Sequence, residues 1–214
     1  MSDKERCRLV LLADIHIRAQ ETILSALDGG DVASAILYTS KSEDAEFMSV
    51  CSKLVPQLQS KDVAVLIRDD TQVFGRSGAD GIHLEKTRNT VEDCIARFSP
   101  HNIVGCGGYK DRHGAMVAGE HKPDFVMFGK CGGDIKDDTH PKNLANAEWW
   151  SNVMQVPCII LGGQKLDSVI ECAQSGAEFI ALESAVFSCD NPADAVREAN
   201  ALLDEHAPEL IDED

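Results

Sequence analysis

The sequence has no apolar run approaching 18 residues, so no segment reads as a membrane-spanning helix. Its first stretch, Met1 to Cys7, is polar and charged and lacks the apolar core of a secretory signal. Positive charge is scarce: 20 Lys and Arg stand against 36 Asp and Glu, a formal net charge of −16. Such a field repels nucleic-acid backbones and anionic membranes, and neither is expected as a partner. The eight cysteines form no C-x-x-C pair, and His101, His113, His121, His140 and His206 show no metal-ligand spacing. A soluble cytoplasmic protein with free, partly buried thiols is expected, Cys106 and Cys131 being the best placed for chemistry. No linker or low-complexity segment divides the chain, and no glycine-rich loop follows its first apolar run.

What is present is a repeat. With 43% apolar residues, the 214-residue chain can bury one sizeable core. Short apolar runs recur at Leu9–Ala13, Ala35–Tyr38, Val63–Ile67, Gly81–Leu84, Ile103–Cys106, Phe125–Phe128, Pro157–Leu161 and Phe179–Leu182. Several are apolar at successive positions, as parallel strands covered on both faces are. Helical spacing appears between them at Thr22–Leu27, Glu43–Leu58, Thr90–Phe98, Arg112–Glu120, Leu144–Met154, Leu166–Gln174 and Ala193–Leu203. Thr71–Ser77 has room for only a short helix. Asn191-Pro192 reads as an N-cap with proline at the first helical position; Gly78 and Gly176 read as C-terminal glycines.

Ser77-Gly-Ala-Asp-Gly-Ile-His-Leu-Glu85 echoes Ser175-Gly-Ala-Glu-Phe-Ile-Ala-Leu-Glu183, and the two copies hold the fourth and eighth runs. Eight β-then-α units predict an α/β fold, a single (β/α)8 TIM barrel over residues 1–214, with 204–214 a frayed acidic tail.

Such a barrel carries its site at the C-terminal ends of its strands, and phosphate is often held after strands seven and eight. Gly162 and Gly163 follow the seventh run and Ser184 the eighth. Their amide groups offer donors to an anion. The alternative reading of the glycine pair is a tight strand-to-helix turn with positive φ.

From Val63 to Val186 the sequence resembles the thiamine phosphate synthase and thiazole tautomerase superfamily of TIM barrels. The residues that carry the likeness are Leu66-Ile-Arg-Asp69, Ser77-Gly-Ala-Asp-Gly-Ile-His-Leu84, Ile103-Val-Gly105, Pro123-Asp-Phe-Val-Met-Phe-Gly129, Leu161-Gly-Gly163 and Ser175-Gly-Ala with Leu182-Glu-Ser-Ala185. The resemblance implies a transferase joining a pyrimidine-methyl pyrophosphate to a thiazole phosphate, with Mg²⁺ and lysine neutralising the departing pyrophosphate. By position, Lys41 matches a pyrophosphate-binding lysine and Asp69 a magnesium ligand; the alternatives are a solvated lysine at the start of the second helix and a helix N-cap. The asparagine paired with that aspartate is Arg68 here. The second metal-binding aspartate is Arg88, which cannot hold Mg²⁺ but can hold pyrophosphate directly.

Further departures are Gly107 in place of a serine after the fifth strand, and Lys130-Cys-Gly-Gly-Asp-Ile-Lys136 in place of a Pro-Thr-x-Thr-Lys loop. Lys136 matches the loop lysine with a one-residue gap, and Lys130 stands where the tautomerases have histidine. His83 is read either as facing the mouth or as a hydrogen-bonded structural histidine, Glu183 either as a ligand contact or as a surface carboxylate. Asp14 and His16 are read as ligand contacts or loop caps. Trp149-Trp150 reads as outer packing or an oligomer contact.

Two functions follow as expectations. One is a synthase with an altered site, in which Lys41, Arg88, Lys130 and Lys136 replace part of the metal's charge. The other is a relative that isomerises or simply binds a phosphorylated heterocycle. The proposed mouth collects Lys41, Arg68, Lys86, Arg88, Lys130, Lys136 and Lys165, which reconciles a small phosphorylated ligand with the net charge of −16.

Overall fold

The computed structural model describes residues 6–41, 45–85 and 90–209, and the backbone of Asp44. Lys86 and Arg88 lie outside the described residues, so the roles expected of them stay expectations. The strands are β1 (Arg8–Asp14), β2 (Ser34–Tyr38), β3 (Ala64–Arg68), β4 (Gly81–Leu84), β5 (Ile103–Gly107), β6 (Phe125–Phe128), β7 (Cys158–Leu161) and β8 (Phe179–Leu182). They form a closed parallel barrel in chain order, β8 pairing back onto β1 through Leu9 opposite Ile180.

The helices are α1 (Gln20–Ala26), α2 (Asp44–Gln59), α3 (Thr71–Ser77), α4 (Val91–Phe98), α5 (Arg112–Glu120), α6 (Pro141–Ser151), α7 (Ser168–Gln174), α8 (Ser184–Phe187) and α9 (Pro192–His206). This is the (β/α)8 barrel that the spacing predicts. Among the described residues, no helix is long and apolar enough to cross a membrane.

Two-residue alternation divides the apolar residues between two cores. Leu9, Leu11 and Ala13 of β1 face the helices, whereas Val10 and Leu12 join Ile36, Leu66, Phe125, Met127, Ile159 and Ala181 inside the barrel. Residues on both sides are buried, so the strands read as continuous apolar runs. Gly105 is needed inside: a Cβ there would overlap the Phe125 ring.

Local signals set most helix ends. Asp70 caps α3 by accepting from Gln72 N–H (2.9 Å) and Val73 N–H (2.8 Å), and Gly78 ends it at φ 75°. Asn191 caps α9 as expected, with Pro192 in its first turn. Helix α6 begins at Pro141, three residues before the periodic reading, because His140 Nδ1 accepts from Lys142 N–H (3.1 Å). Helix α9 runs to His206, and Asp204 pairs with Arg6 at 2.7 Å, so the expected tail is ordered helix through its first three residues. The one-turn α8 was not expected.

All eight cysteines are free, and all but Cys189 are buried. Trp150 is fully buried: its Nε1–H donates to the Val156 carbonyl and its ring meets Phe128 edge-on. Trp149 is half-buried beneath the Arg112 guanidinium. Packing within the chain therefore accounts for the tryptophan pair.

Candidate active site

Polar side chains gather where the strands end. Asp14, Tyr38, Arg68 and Glu183 line a cavity of about 540 Å³ at the C-terminal mouth, together with Arg18, Lys130, Cys131, Asp134 and Ser184. Its charged lining is balanced, with Arg18, Arg68 and Lys130 facing Asp14, Asp134 and Glu183. Among the described residues, the cavity lining thus holds fewer cations than the sequence suggests. Lys165 contributes little, since it pairs with exposed Asp137 at 2.6 Å.

The internal echo acquires a structural meaning here. Glu85 and Glu183 each stand one residue beyond their strand, on β4 and β8, and both carboxylates are buried. They grip adjacent amides of one segment, the β6–α6 loop: Cys131 N–H donates to Glu85 Oε1 (2.7 Å) and Gly132 N–H to Glu183 Oε2 (2.9 Å). The loop is fastened further by Gln164 Nε2–H on the Asp134 carbonyl (2.7 Å) and Thr139 N–H on Glu171 Oε1 (3.0 Å).

The two carboxyls titrate in opposite senses. Burial disfavours the Glu85 anion, but His83, the Cys131 amide and Arg68 outweigh it and hold its pKa below the ordinary value. Burial pushes Glu183 up to about 7 despite hydrogen bonds from Tyr38 and Gly132, and the nearby Asp134 and Asp14 carboxylates add to the rise. Glu183 is no surface carboxylate, and Tyr38 O–H donates to it.

Arg68 occupies the centre of the β2–β4 side. Its guanidinium stacks over Tyr38 (4.5 Å), donates to the Thr39 carbonyl (3.3 Å), and lies 3.7 Å from Asp69 Oδ2 and 3.8 Å from Glu85 Oε2. It also borders a second cavity of about 720 Å³ with Thr39, Asp69, Thr71, Gln72 and Arg76. Asp69 holds a left-handed backbone (φ 61°), pinned by its N–H on the His83 carbonyl (2.9 Å).

Magnesium needs several oxygen ligands in near-octahedral array. Here Asp69 Oδ1 already accepts from Glu85 N–H (2.7 Å), its Oδ2 faces the guanidinium, and Asp70 is spent on capping α3. Among the described residues this donor set does not fit Mg²⁺: the Arg68 guanidinium stands 3.7 Å from Asp69 Oδ2, where a cation would have to bind.

The expected phosphate loops are internally satisfied. Gly162 N–H donates to the Ala181 carbonyl (3.0 Å) and Gly163 N–H to Ser168 Oγ (2.9 Å). Ser184 N–H donates to Asp134 Oδ2 (2.6 Å), so a carboxylate of the β6–α6 loop sits where an anionic ligand would. Neither glycine has positive φ, which overturns the tight-turn reading. Gly163 is required for another reason: a Cβ would overlap the Asp137 carbonyl, where the two loops touch.

The remaining expected residues fall at different depths. Lys130 lines the mouth. Lys41 is exposed beside it, in a small recess with His16 and Thr39. Lys136 is exposed and is not among the residues lining the cavity; its carbonyl accepts from Gln164 N–H (2.8 Å). Asp14 caps two loops, accepting from His16 N–H (3.0 Å) and Ser40 N–H (3.2 Å), while also lining the mouth.

His83 is fully buried, stacked on Phe125 and 3.3 Å from Glu85 Oε1. Gly107 lies buried beneath the mouth, where a Cβ would crowd Met127 and His83. Cys106 faces the helices rather than the mouth, and burial pushes its thiol up to about 11, which removes it as a nucleophile. Tyr38, Glu85 and Asp134 were missed as site residues. The signal for Glu85 was present, as the partner of Glu183 in the echo.

Residues 9–186 match the TMP-TENI family, described as thiamine monophosphate synthase. A thiamine-phosphate synthase of Rhodospirillum centenum is 32% identical over 92% of this chain and 98% of its own length. One of Hyphomonas neptunium is 33% identical over 94% and 96%. In three dimensions the chain is similar to thiamine phosphate pyrophosphorylase from Pyrococcus furiosus, with a TM-score of 0.82 at 20% identity over 95% of this chain and 98% of that one. That likeness bears on the fold alone. With the family model covering most of the barrel and relatives matched nearly end to end, the chain belongs to the thiamine monophosphate synthase family, transferases of thiamine biosynthesis.

Proposed function

We propose that the chain joins a pyrimidine-methyl pyrophosphate to a thiazole phosphate, with Arg68 supplying charge that a metal would otherwise supply. In this reaction the methylene C–O bond breaks and its electron pair leaves with pyrophosphate. The thiazole nitrogen then donates its lone pair to the methylene carbon, forming the C–N bond. No strong base is needed; the site must stabilise the departing anion.

The observation that carries this reading is the position of Arg68, stacked on Tyr38 at the junction of the two cavities. A guanidinium offers a planar fork of donors matched to phosphate oxygens. Lys41 and Lys130 would approach the same anion from the rim. Asp69 would orient Arg68 rather than bind Mg²⁺.

The thiazole phosphate would take the Gly162, Gly163 and Ser184 side of the mouth. There it must displace Asp134 from the Ser184 amide. That carboxylate favours a second reading, a family member that binds a phosphorylated heterocycle weakly and does not join it to a pyrimidine.

Incubation with both substrates, with and without Mg²⁺, separates the two. Thiamine phosphate formed at similar rates in both buffers supports the first reading. No product, together with a melting-point rise on thiazole phosphate alone, supports the second.

A further inference from the structure

We propose that His83, Glu85 and Cys131 form a binding site for a divalent cation of the zinc class. One ring nitrogen of His83, one carboxylate oxygen of Glu85 and Cys131 Sγ all lie within 4.8 Å of one another. Two ligands of one tetrahedral zinc stand roughly 3.3–3.6 Å apart, as follows from its bond lengths. About 1 Å of side-chain closure therefore completes the first three bonds. Imidazole, thiolate and carboxylate together select zinc-like ions over magnesium or calcium, which take oxygen ligands.

A second observation points to a ligand. His83 Nδ1 and Glu85 Oε2 are buried and have no hydrogen-bond partner among the described residues. Buried polar atoms left without partners are rare and costly. Arg68 at 3.8 Å compensates Glu85 only at a distance. His83 Nε2 faces Glu85 Oε1 at 3.3 Å, which leaves Nδ1 as the unpartnered nitrogen of a ring stacked on Phe125 and given room by Gly107.

The supporting groups are already oriented. Cys131 N–H donates to Glu85 Oε1, so the carboxylate and the thiol residue are fixed to each other across 46 positions of sequence. The charges balance: a +2 ion, the Glu85 carboxylate and a Cys131 thiolate sum to zero, which spares Arg68 a net like charge. On binding, the S–H bond breaks, the sulfur–metal bond forms, and one proton passes to solvent. Three protein ligands leave a fourth position; His83 and Glu85 are buried, and Cys131 borders the mouth cavity, so a water or oxygen ligand would enter from the Cys131 side. This site does not use Asp69 as a ligand and stands whether or not the chain is a synthase.

The test is titration of the metal-free full chain with Zn²⁺ and Co²⁺ at neutral pH. The expected result is one tight equivalent, one proton released from the thiol, and a thiolate-to-cobalt charge-transfer band. Cys131→Ser should abolish the band, and His83→Gln should weaken zinc binding by roughly 100-fold or more. Cys189→Ser, which removes the exposed thiol, should leave both intact. Far-ultraviolet circular dichroism verifies that each variant folds, and the wild-type stoichiometry and proton count stand without them. Absence of stoichiometric binding by the wild-type chain overturns the proposal. So does a cobalt band that Cys189→Ser removes and Cys131→Ser does not.

Discussion

Glu85 and Glu183 occupy equivalent places in two copies of one sequence pattern, and each accepts an amide of the same loop. Their chemistry differs because their neighbours differ. Glu85 sits against His83 and Arg68 and stays ionised. Glu183 sits near Asp14 and Asp134 and is pushed up to about 7, mainly by burial. The β2–β4 side of the mouth therefore carries a structured cation, and the β8 side carries surplus carboxylate. The lesson is that a repeat sets position, while the residues across the mouth set charge.

Removing the cation should break this asymmetry most severely. Arg68→Met is expected to lower kcat/KM for thiamine phosphate formation by about 10²–10³-fold, the loss typical of one preorganised donor at a developing anion. Arg68→Lys should recover only part of it, because an ammonium neither stacks on Tyr38 nor forks onto two oxygens. Steady-state kinetics on both variants checks this.

The next effect is on stability. A carboxyl whose folded pKa is raised carries no penalty below its unfolded pKa of about 4.3. The penalty then grows until pH passes the folded value. Wild type should accordingly lose stability relative to Glu183→Gln between pH 4.5 and 7.5, by up to about 3 kcal/mol. Glu85 has the opposite sign: its lowered pKa contributes stability above about pH 4.3, lost as pH falls. Urea denaturation across that range, wild type against each glutamine variant, reads both slopes.

Smaller effects should come from the loop. Asp134→Asn weakens the acceptor on the Ser184 amide and removes a charge that repels phosphate. It is expected to tighten thiazole phosphate binding by roughly tenfold, about 1.4 kcal/mol, by calorimetry. Weaker binding would mean that Asp134 assists the ligand rather than occupying its place. Lys136→Ala should be the mildest change, altering kcat/KM by less than about threefold, because its side chain is solvated outside the cavity.

The barrel was legible because parallel strands buried on both faces leave eight short apolar runs, and Asp70, Gly78 and Asn191 mark their helix ends locally. The mouth was only partly legible. Asp69, Lys130 and Glu183 fall there as strand-end positions should. Asp134 was hidden because its role depends on a loop folding onto a turn 50 residues away. Cys131 was singled out with Cys106 as well placed for chemistry, but its neighbour Glu85 became visible only once β6 brought the two together. The glycine pair pointed to phosphate, yet the structure uses Gly163 for loop contact and both amides for internal bonds.

The central claim is that Arg68 stands in for the metal at the departing pyrophosphate. Its most direct test is the rate of thiamine phosphate formation by the wild-type chain in magnesium-free buffer, before and after adding Mg²⁺. The account predicts rates that agree within about twofold. A rate that appears only when Mg²⁺ is added would contradict it.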